Sequence, residues 1–591
     1  MKMKNLLSAI AFAAVSSAVA ADGDLLKFGC AYYPEAWPES RWAEDLRDMK
    51  AAGLSIIRIG EFNWSGFEPT EGDFDFAPYR RFLALCDEVG MDVMMCTPTA
   101  ALPPWMTTDY PETERVDEKG HRPPIGTRQT RCPSRPKFRF FATRIAKEMA
   151  EAFKGFKCIR VWQLDNEIHL TAGFDPCCCP DCEEGFRTWL KMRYGSLDEL
   201  NKAWNHAFWS ARFTDWEQIR LPISKGREPW RVEFAKFQSD VYVGFLHEQA
   251  SRIRAAFPDA LITSNGSEMS GHLRLDEAYR DLGYAATDTY VTDAFENRAK
   301  WMWGLSRGIT GAQKPFMVAE MGPFSWDADG KNADGKVETW VRDAAKHGAE
   351  YLLFFRWRQS VSGEQYHPAI LPWSGKKGTG YEFVKKIAAS GIRTEMPRSG
   401  VAVLHSNESD QDTLVRGKNI QFGQYEDTSI LLNATLERRG ILPDYLMSGR
   451  DVDFSPYRFV FVPLNTIVPP EVAAKLKDYV KAGGKALAIC RLNLLDPRGG
   501  SYLTEPYPVG MTDLFGLEVH EQRARSDWKY AYDLVEPKGC RVLSTLETGA
   551  FAGSPAVTVN RYGKGKAYYV SFLPQDAADV ERICDIISDH E

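Results

Sequence analysis

The chain has 591 residues, 44% of them hydrophobic, and a net charge of −7. That length can bury more than one core, so two or three domains are expected. The acidic balance offers nucleic acid no basic face, and no segment reaches the roughly 20 apolar residues needed to span a membrane.

At the N-terminus, Lys2 and Lys4 precede an apolar run from Leu6 to Val15, and Ala18-Val19-Ala20 supplies a small-x-small pattern before Ala21. Residues 1–20 therefore read as an export signal, and the mature protein is expected in a periplasm or outside the cell. Eight short β-rich apolar runs follow in order: "LLKFGCAYY", "LSIIRIG", "MDVMMCTP", "IRVWQLDNE", "ALITSNG", "AATDTYV", "PFMVAEMG" and "EYLLFFRWRQ". Segments of helical spacing with charged outer faces, such as "ESRWAEDLRDMKAAG" and "KFRFFATRIAKEMAEAF", lie between them. This alternation predicts a (β/α)8 barrel over residues 21–397, with its functional residues at the C-terminal ends of the strands.

The fourth run ends in Asn166-Glu167 and the seventh ends just after Glu320. Two carboxylates distant in sequence thus converge on one barrel mouth. Retaining glycoside hydrolysis needs such a pair, one acid to protonate the leaving oxygen and a second carboxylate about 5 Å away to attack the anomeric carbon. The 17 Trp and 23 Tyr add flat apolar faces with polar edges, which suit sugar rings as well as cores.

Together "WQLDNEI", "DPCCCPDCEEGFRTWLKMRYGSLDELNKAWNHAFWS", "MVAEMGPFSW" and "FFRWRQSVSGEQYH" resemble glycoside hydrolase family 42, the retaining β-galactosidases. The resemblance implies that Glu167 is the acid/base and Glu320 the nucleophile. It also implies that Trp209 and Trp326 are aromatic walls of the galactose subsite, that Tyr290 lies near the nucleophile, and that Glu364 and His367 hold sugar hydroxyls. Chemistry adds Arg58, at the end of the second run, as a charge partner for Glu320, and Asn166 as a donor to the sugar 2-hydroxyl. The expected activity is an exo-acting release of terminal β-galactosyl units from oligosaccharides or glycans. A retaining α-L-arabinopyranosidase or β-fucosidase is the alternative within the class, and a non-catalytic glycan-binding barrel the alternative outside it. No organic cofactor is expected.

Cys177, Cys179 and Cys182 form C-x-C-x-x-C, and Cys132 lies in the loop beyond the third run. Four thiolates there could close a tetrahedral structural zinc site, which resembles family members that hold zinc with four cysteines. Two neighbouring disulfides are the alternative in an oxidising compartment.

From residue 398 to 520 the pattern becomes that of an open doubly wound α/β domain, with "GVAVLHS", "RFVFVPLNTIV" and "GGKALAIC" as buried strands. It resembles the amidotransferase-like second domain of the family, which builds a homotrimer. Residues 521–591 read as a β-rich extension of that domain with a closing helix. The small C-terminal β-domain usual in the family is expected to be missing.

Overall fold

The computed structural model describes residues 24–168, 177–222, 228–266, 273–310, 313–324, 333–362, 368–417, 423–525 and 530–590. Two compact units divide the chain between Glu395 and Met396.

In the first unit eight strands form one parallel sheet: β1 (Lys27–Ala31), β2 (Ile56–Ile59), β3 (Asp92–Cys96), β4 (Ile159–Gln163), β5 (Leu261–Thr263), β6 (Ala286–Asp288), β7 (Phe316–Met321) and β8 (Ala349–Phe354). β1 pairs with both β2 and β8. Between β5 and β6 the gap is closed by a parallel bridge from Ile262 to Gly283 and by the Asp288 N–H, which donates to Gly266 at 2.9 Å. All eight predicted runs are strands, and the sheet is the (β/α)8 barrel the alternation implies.

The strands read as near-continuous apolar runs because both faces are covered. Ile56, Met94, Val161, Met317, Ala319 and Leu353 fill the barrel interior, so this is a packed core. Gly29 on β1 leaves no room for a side chain, since a Cβ there would come within 2.3 Å of the Ile56 carbonyl oxygen. The outer helices follow the 3.6-residue period. In the helix Ala77–Val89, Tyr79, Phe82, Leu83 and Cys86 are buried, and Gly90 ends it at φ 65°, a left-handed conformation that costs glycine little. No helix among the described residues is long and apolar enough to cross a membrane.

The second unit is built on a seven-stranded sheet. Its strands are β9 (Val401–His405), β10 (Asp444–Met447), β11 (Phe459–Val462), β12 (Lys485–Ile489), β15 (Arg541–Thr545), β16 (Pro555–Tyr562) and β17 (Gly565–Val570), in the order β10-β9-β11-β12-β17-β16-β15. The first five in that order run parallel, as a doubly wound domain requires, while β16 and β15 are antiparallel additions. β13 (Leu517–Arg523) and β14 (Tyr532–Pro537) make a separate antiparallel ribbon. The last segment of the chain therefore completes this sheet, because β17 pairs with both β12 and β16.

Candidate active site and cysteine cluster

The C-terminal ends of the barrel strands gather a dense polar cluster, with Arg58 of β2 at its hub. Its guanidinium Nη1 pairs with Glu320 Oε1 on β7. Nη2 pairs with Glu61 Oε2, two residues beyond β2, and donates to Asn166 Oδ1 at 2.6 Å. Tyr290, beyond β6, donates its hydroxyl to Glu320 Oε2. Both oxygens of Glu320 are thereby held in place. Tyr33, beyond β1, does the same for Glu61 by donating to Oε1.

Glu167 stands four residues beyond β4 with φ 45°, a region rare for any residue but glycine. Its backbone is fixed from outside: its N–H donates to Asn265 Oδ1 at 3.0 Å, and Gln129 Nε2 donates to its carbonyl at 2.8 Å. The neighbouring Asp165, also at positive φ, is buried between Arg131 and Thr99, so the turn is clamped on both sides. Arg128 Nη1 donates to Glu167 Oε2 at 2.5 Å. Burial, and then the charge of Glu320, push the Glu167 carboxyl up to about 7. Oxygen atoms of Glu167, Asp288 and Glu320 all lie within 4.8 Å of one another.

Among the residues named from sequence, the fold brings together Arg58, Asn166, Glu167, Tyr290 and Glu320. Trp209 is not gathered with them; it is 81% exposed and stacks on Phe208 at 5.4 Å. Trp326, Glu364 and His367 lie outside the described residues. Sequence reasoning missed Tyr33, Glu61, Asn265, Asp288 and Arg128. The first four stand at or just past strand ends, so the rule that found Glu167 and Glu320 could have found them. Arg128 sits in the long connection after β3 and had no such signal.

The second cluster holds Cys132, Cys177, Cys179 and Cys182, all buried, with their sulfurs within 4.8 Å of one another. Cys132 Sγ lies 3.7 Å from Cys179 and 3.5 Å from Cys182. A disulfide needs about 2.05 Å, whereas a tetrahedron with metal–sulfur bonds of about 2.3 Å has edges of about 3.8 Å. The four sulfurs thus fit a tetrahedral soft cation. Negative charge there is also provided for: the Val116 N–H donates to Cys177 Sγ and the Cys182 N–H to Cys179 Sγ, each at 3.4 Å. Cys179 caps the helix Pro180–Tyr194, whose N-terminal dipole favours an anion. Cys178 lies outside the cluster, partly exposed, with its N–H donating to the Val116 carbonyl at 2.7 Å.

A closed parallel barrel with paired acids at the ends of its fourth and seventh strands is the architecture of a glycoside hydrolase. Residues 31–391 match the sequence profile of glycoside hydrolase family 42, described as β-galactosidase, and residues 399–591 match the β-galactosidase trimerisation domain. The chain belongs to glycoside hydrolase family 42. It is 29% identical to the β-galactosidase LacZ of Heyndrickxia coagulans, over 93% of this chain and 86% of that protein. Against the β-galactosidase BgaA of a Thermus species the figure is 32%, over 81% of this chain and 76% of that one. The crystal structure of β-galactosidase from Bacillus circulans sp. alkalophilus superposes with a TM-score of 0.87 at 25% identity, covering 96% of this chain and 89% of that one.

Proposed function

We propose that this hydrolase is an exported, retaining exo-β-galactosidase that releases terminal β-D-galactosyl residues by double displacement. The observation that carries the mechanism is the spacing of Glu167 and Glu320, which bring one oxygen each within 4.8 Å of the other. An inverting pair stands about 6.5–9.5 Å apart to admit water, so this spacing suits direct attack by one carboxylate. In the first step Glu320 attacks the anomeric carbon while Glu167 gives its proton to the leaving oxygen. In the second, Glu167 takes a proton from the water that attacks the glycosyl-enzyme.

Arg58 and Tyr290 hold one oxygen of Glu320 each, which fixes the angle of attack. Asn166 Oδ1 accepts from both Arg58 and Asn265 at 2.6 and 2.9 Å, and its buried Nδ2 meets no acceptor among the described residues. That amide is the donor left for the sugar 2-hydroxyl. Trp326, Glu364 and His367, which lie outside the described residues, complete the proposed sugar subsite on the family resemblance. The same resemblance favours galactose, with arabinopyranose and fucose sharing its ring hydroxyl arrangement. Export rests on the N-terminal pattern, and a homotrimer on the match to the trimerisation domain.

Zinc is proposed at Cys132, Cys177, Cys179 and Cys182, where it would supply folding free energy and no chemistry, since four thiolates leave no open coordination position.

A panel of chromogenic glycosides tests the substrate class, with Glu320→Gln as the control that should abolish turnover. NMR immediately after mixing should show the β-anomer of galactose forming first. Initial release of the α-anomer would overturn the mechanism, and preference for a glycoside without galactose-like ring hydroxyls would overturn the specificity.

A further inference from the structure

The barrel mouth holds more acid than the proposed reaction uses. Glu167, Asp288 and Glu320 are buried together, and Glu61 adds a fourth carboxyl group that shares Arg58 with Glu320. Two guanidinium groups, Arg58 and Arg128, pair with Glu61, Glu167 and Glu320. With every carboxyl ionised, these groups would carry two uncompensated negative charges away from water, which proteins relieve by protonation. The proposed reaction places one proton on Glu167. Neutrality needs a second.

Asp288 ends β6 and is 1% exposed. Its Oδ2 accepts from Asn265 Nδ2 at 2.6 Å, and its buried Oδ1 meets no hydrogen-bond partner among the described residues. The groups that face it are Glu320 from β7, Glu167 from beyond β4, Arg58 from β2, and the phenols of Tyr290 and Tyr279. Burial, followed by the charges of Glu320 and Glu167, pushes its carboxyl well above the usual range.

Asn265, beyond β5, links this acid to the sugar-facing groups. Its Oδ1 accepts the Glu167 N–H at 3.0 Å, while its Nδ2 donates to Asn166 Oδ1 at 2.9 Å and to Asp288. Flipping the amide would forfeit the bonds to Glu167 and Asn166, and the bond to Asp288 as well when the acid's proton sits on the unpartnered Oδ1. Asp288 therefore helps fix the rotamer on which Asn166 and the unusual backbone of Glu167 depend.

We infer that Asp288 is a positioning residue that stays protonated through the catalytic cycle and, by anchoring Asn265, holds Asn166 and Glu167 toward the sugar. The inference rests on the reaction proposed above, and its proton count closes. Before reaction Glu167 and Asp288 are neutral while Glu61 and Glu320 are charged. As the glycosidic bond breaks, the Glu167 proton leaves on the departing oxygen and a Glu320 oxygen forms the ester bond to the anomeric carbon. One negative charge disappears at Glu320 and one appears at Glu167, so Asp288 keeps its proton.

The test compares Asp288→Asn, Asp288→Ala and Glu320→Gln in the full-length enzyme, measuring kcat and KM against pH on aryl galactosides with good and poor leaving groups. A neutral amide replacing a neutral acid should keep kcat/KM within about threefold and leave the alkaline limb unmoved. Asp288→Ala should lower kcat by about 10–100-fold on the poor leaving group and by much less on the good one, because misplacing Glu167 matters where protonation is needed. An alkaline limb that moves to lower pH in Asp288→Asn would betray a lost negative charge beside Glu167 and overturn the inference. So would an Asn variant as impaired as the Ala variant. If Asp288→Ala does not fold, the Asn variant decides alone. Turnover by the wild type and none by Glu320→Gln places any failure at Asp288, whereas turnover by Glu320→Gln strikes the proposed reaction itself.

Discussion

Replacing Arg58 by methionine removes a wholly buried cation of the site while roughly preserving side-chain length. Its guanidinium is buried and serves Glu320, Glu61 and Asn166 at once. Removing one partner of a buried ion pair costs about 3–5 kcal/mol, because the abandoned charge stays out of water. The loss must depend on pH. Burial already raises the Glu61 carboxyl, and Arg58 is the largest influence opposing that rise. Without Arg58 the folded-state pKa of Glu61 climbs further above its unfolded value. Folding of a group with a raised pKa is favoured below the unfolded value, and that advantage is lost as pH rises through the folded one. The deficit of Arg58→Met should therefore be small near pH 4.5 and largest near pH 8. Urea unfolding followed by tryptophan fluorescence reads the barrel, since every tryptophan but Trp528 belongs to that unit. Turnover should fall by about 10²–10³-fold as Glu320 loses a fixed partner. A variant as stable as wild type at pH 8, or one whose deficit grows toward acid, would refute this account of Arg58.

Glu167, pushed up to about 7, should set the alkaline limb of kcat/KM close to that pH, and Glu167→Gln should abolish the limb; a limb that persists in the variant belongs to another group. At the cysteine cluster, purified protein should carry about one zinc per chain. Cys179→Ser should lower zinc content and Tm together, whereas Cys178→Ser, outside the cluster, should leave both nearly unchanged. Metal-free protein whose mass spectrum shows Cys132 covalently linked to Cys177, Cys179 or Cys182 would decide for disulfides.

What the sequence determined by itself was the succession of elements and the identity of the acids that end them. Runs such as "IRVWQLDNE" and "PFMVAEMG" are apolar along their length because a barrel strand is covered on both faces, and that signal is local. Once the runs are counted, chain order alone puts Glu167 and Glu320 at one mouth, and the spacing of Cys177, Cys179 and Cys182 marks a shared site. Tertiary structure decided which neighbours join them. The strand-end rule nominates Glu61 and Asp288, but whether such a side chain turns into the mouth depends on how the closed sheet tilts and staggers. Arg128 enters only because the connection after β3 folds back over Glu167. In the second unit, likewise, β17 reads as half of a hairpin with β16, yet its other edge takes β12. Strand partners distant in the chain are chosen by the packing of whole layers, which a local pattern does not encode. The charge balance around Arg58 arises at that same level, when four carboxyl groups from separate strands are buried beside it.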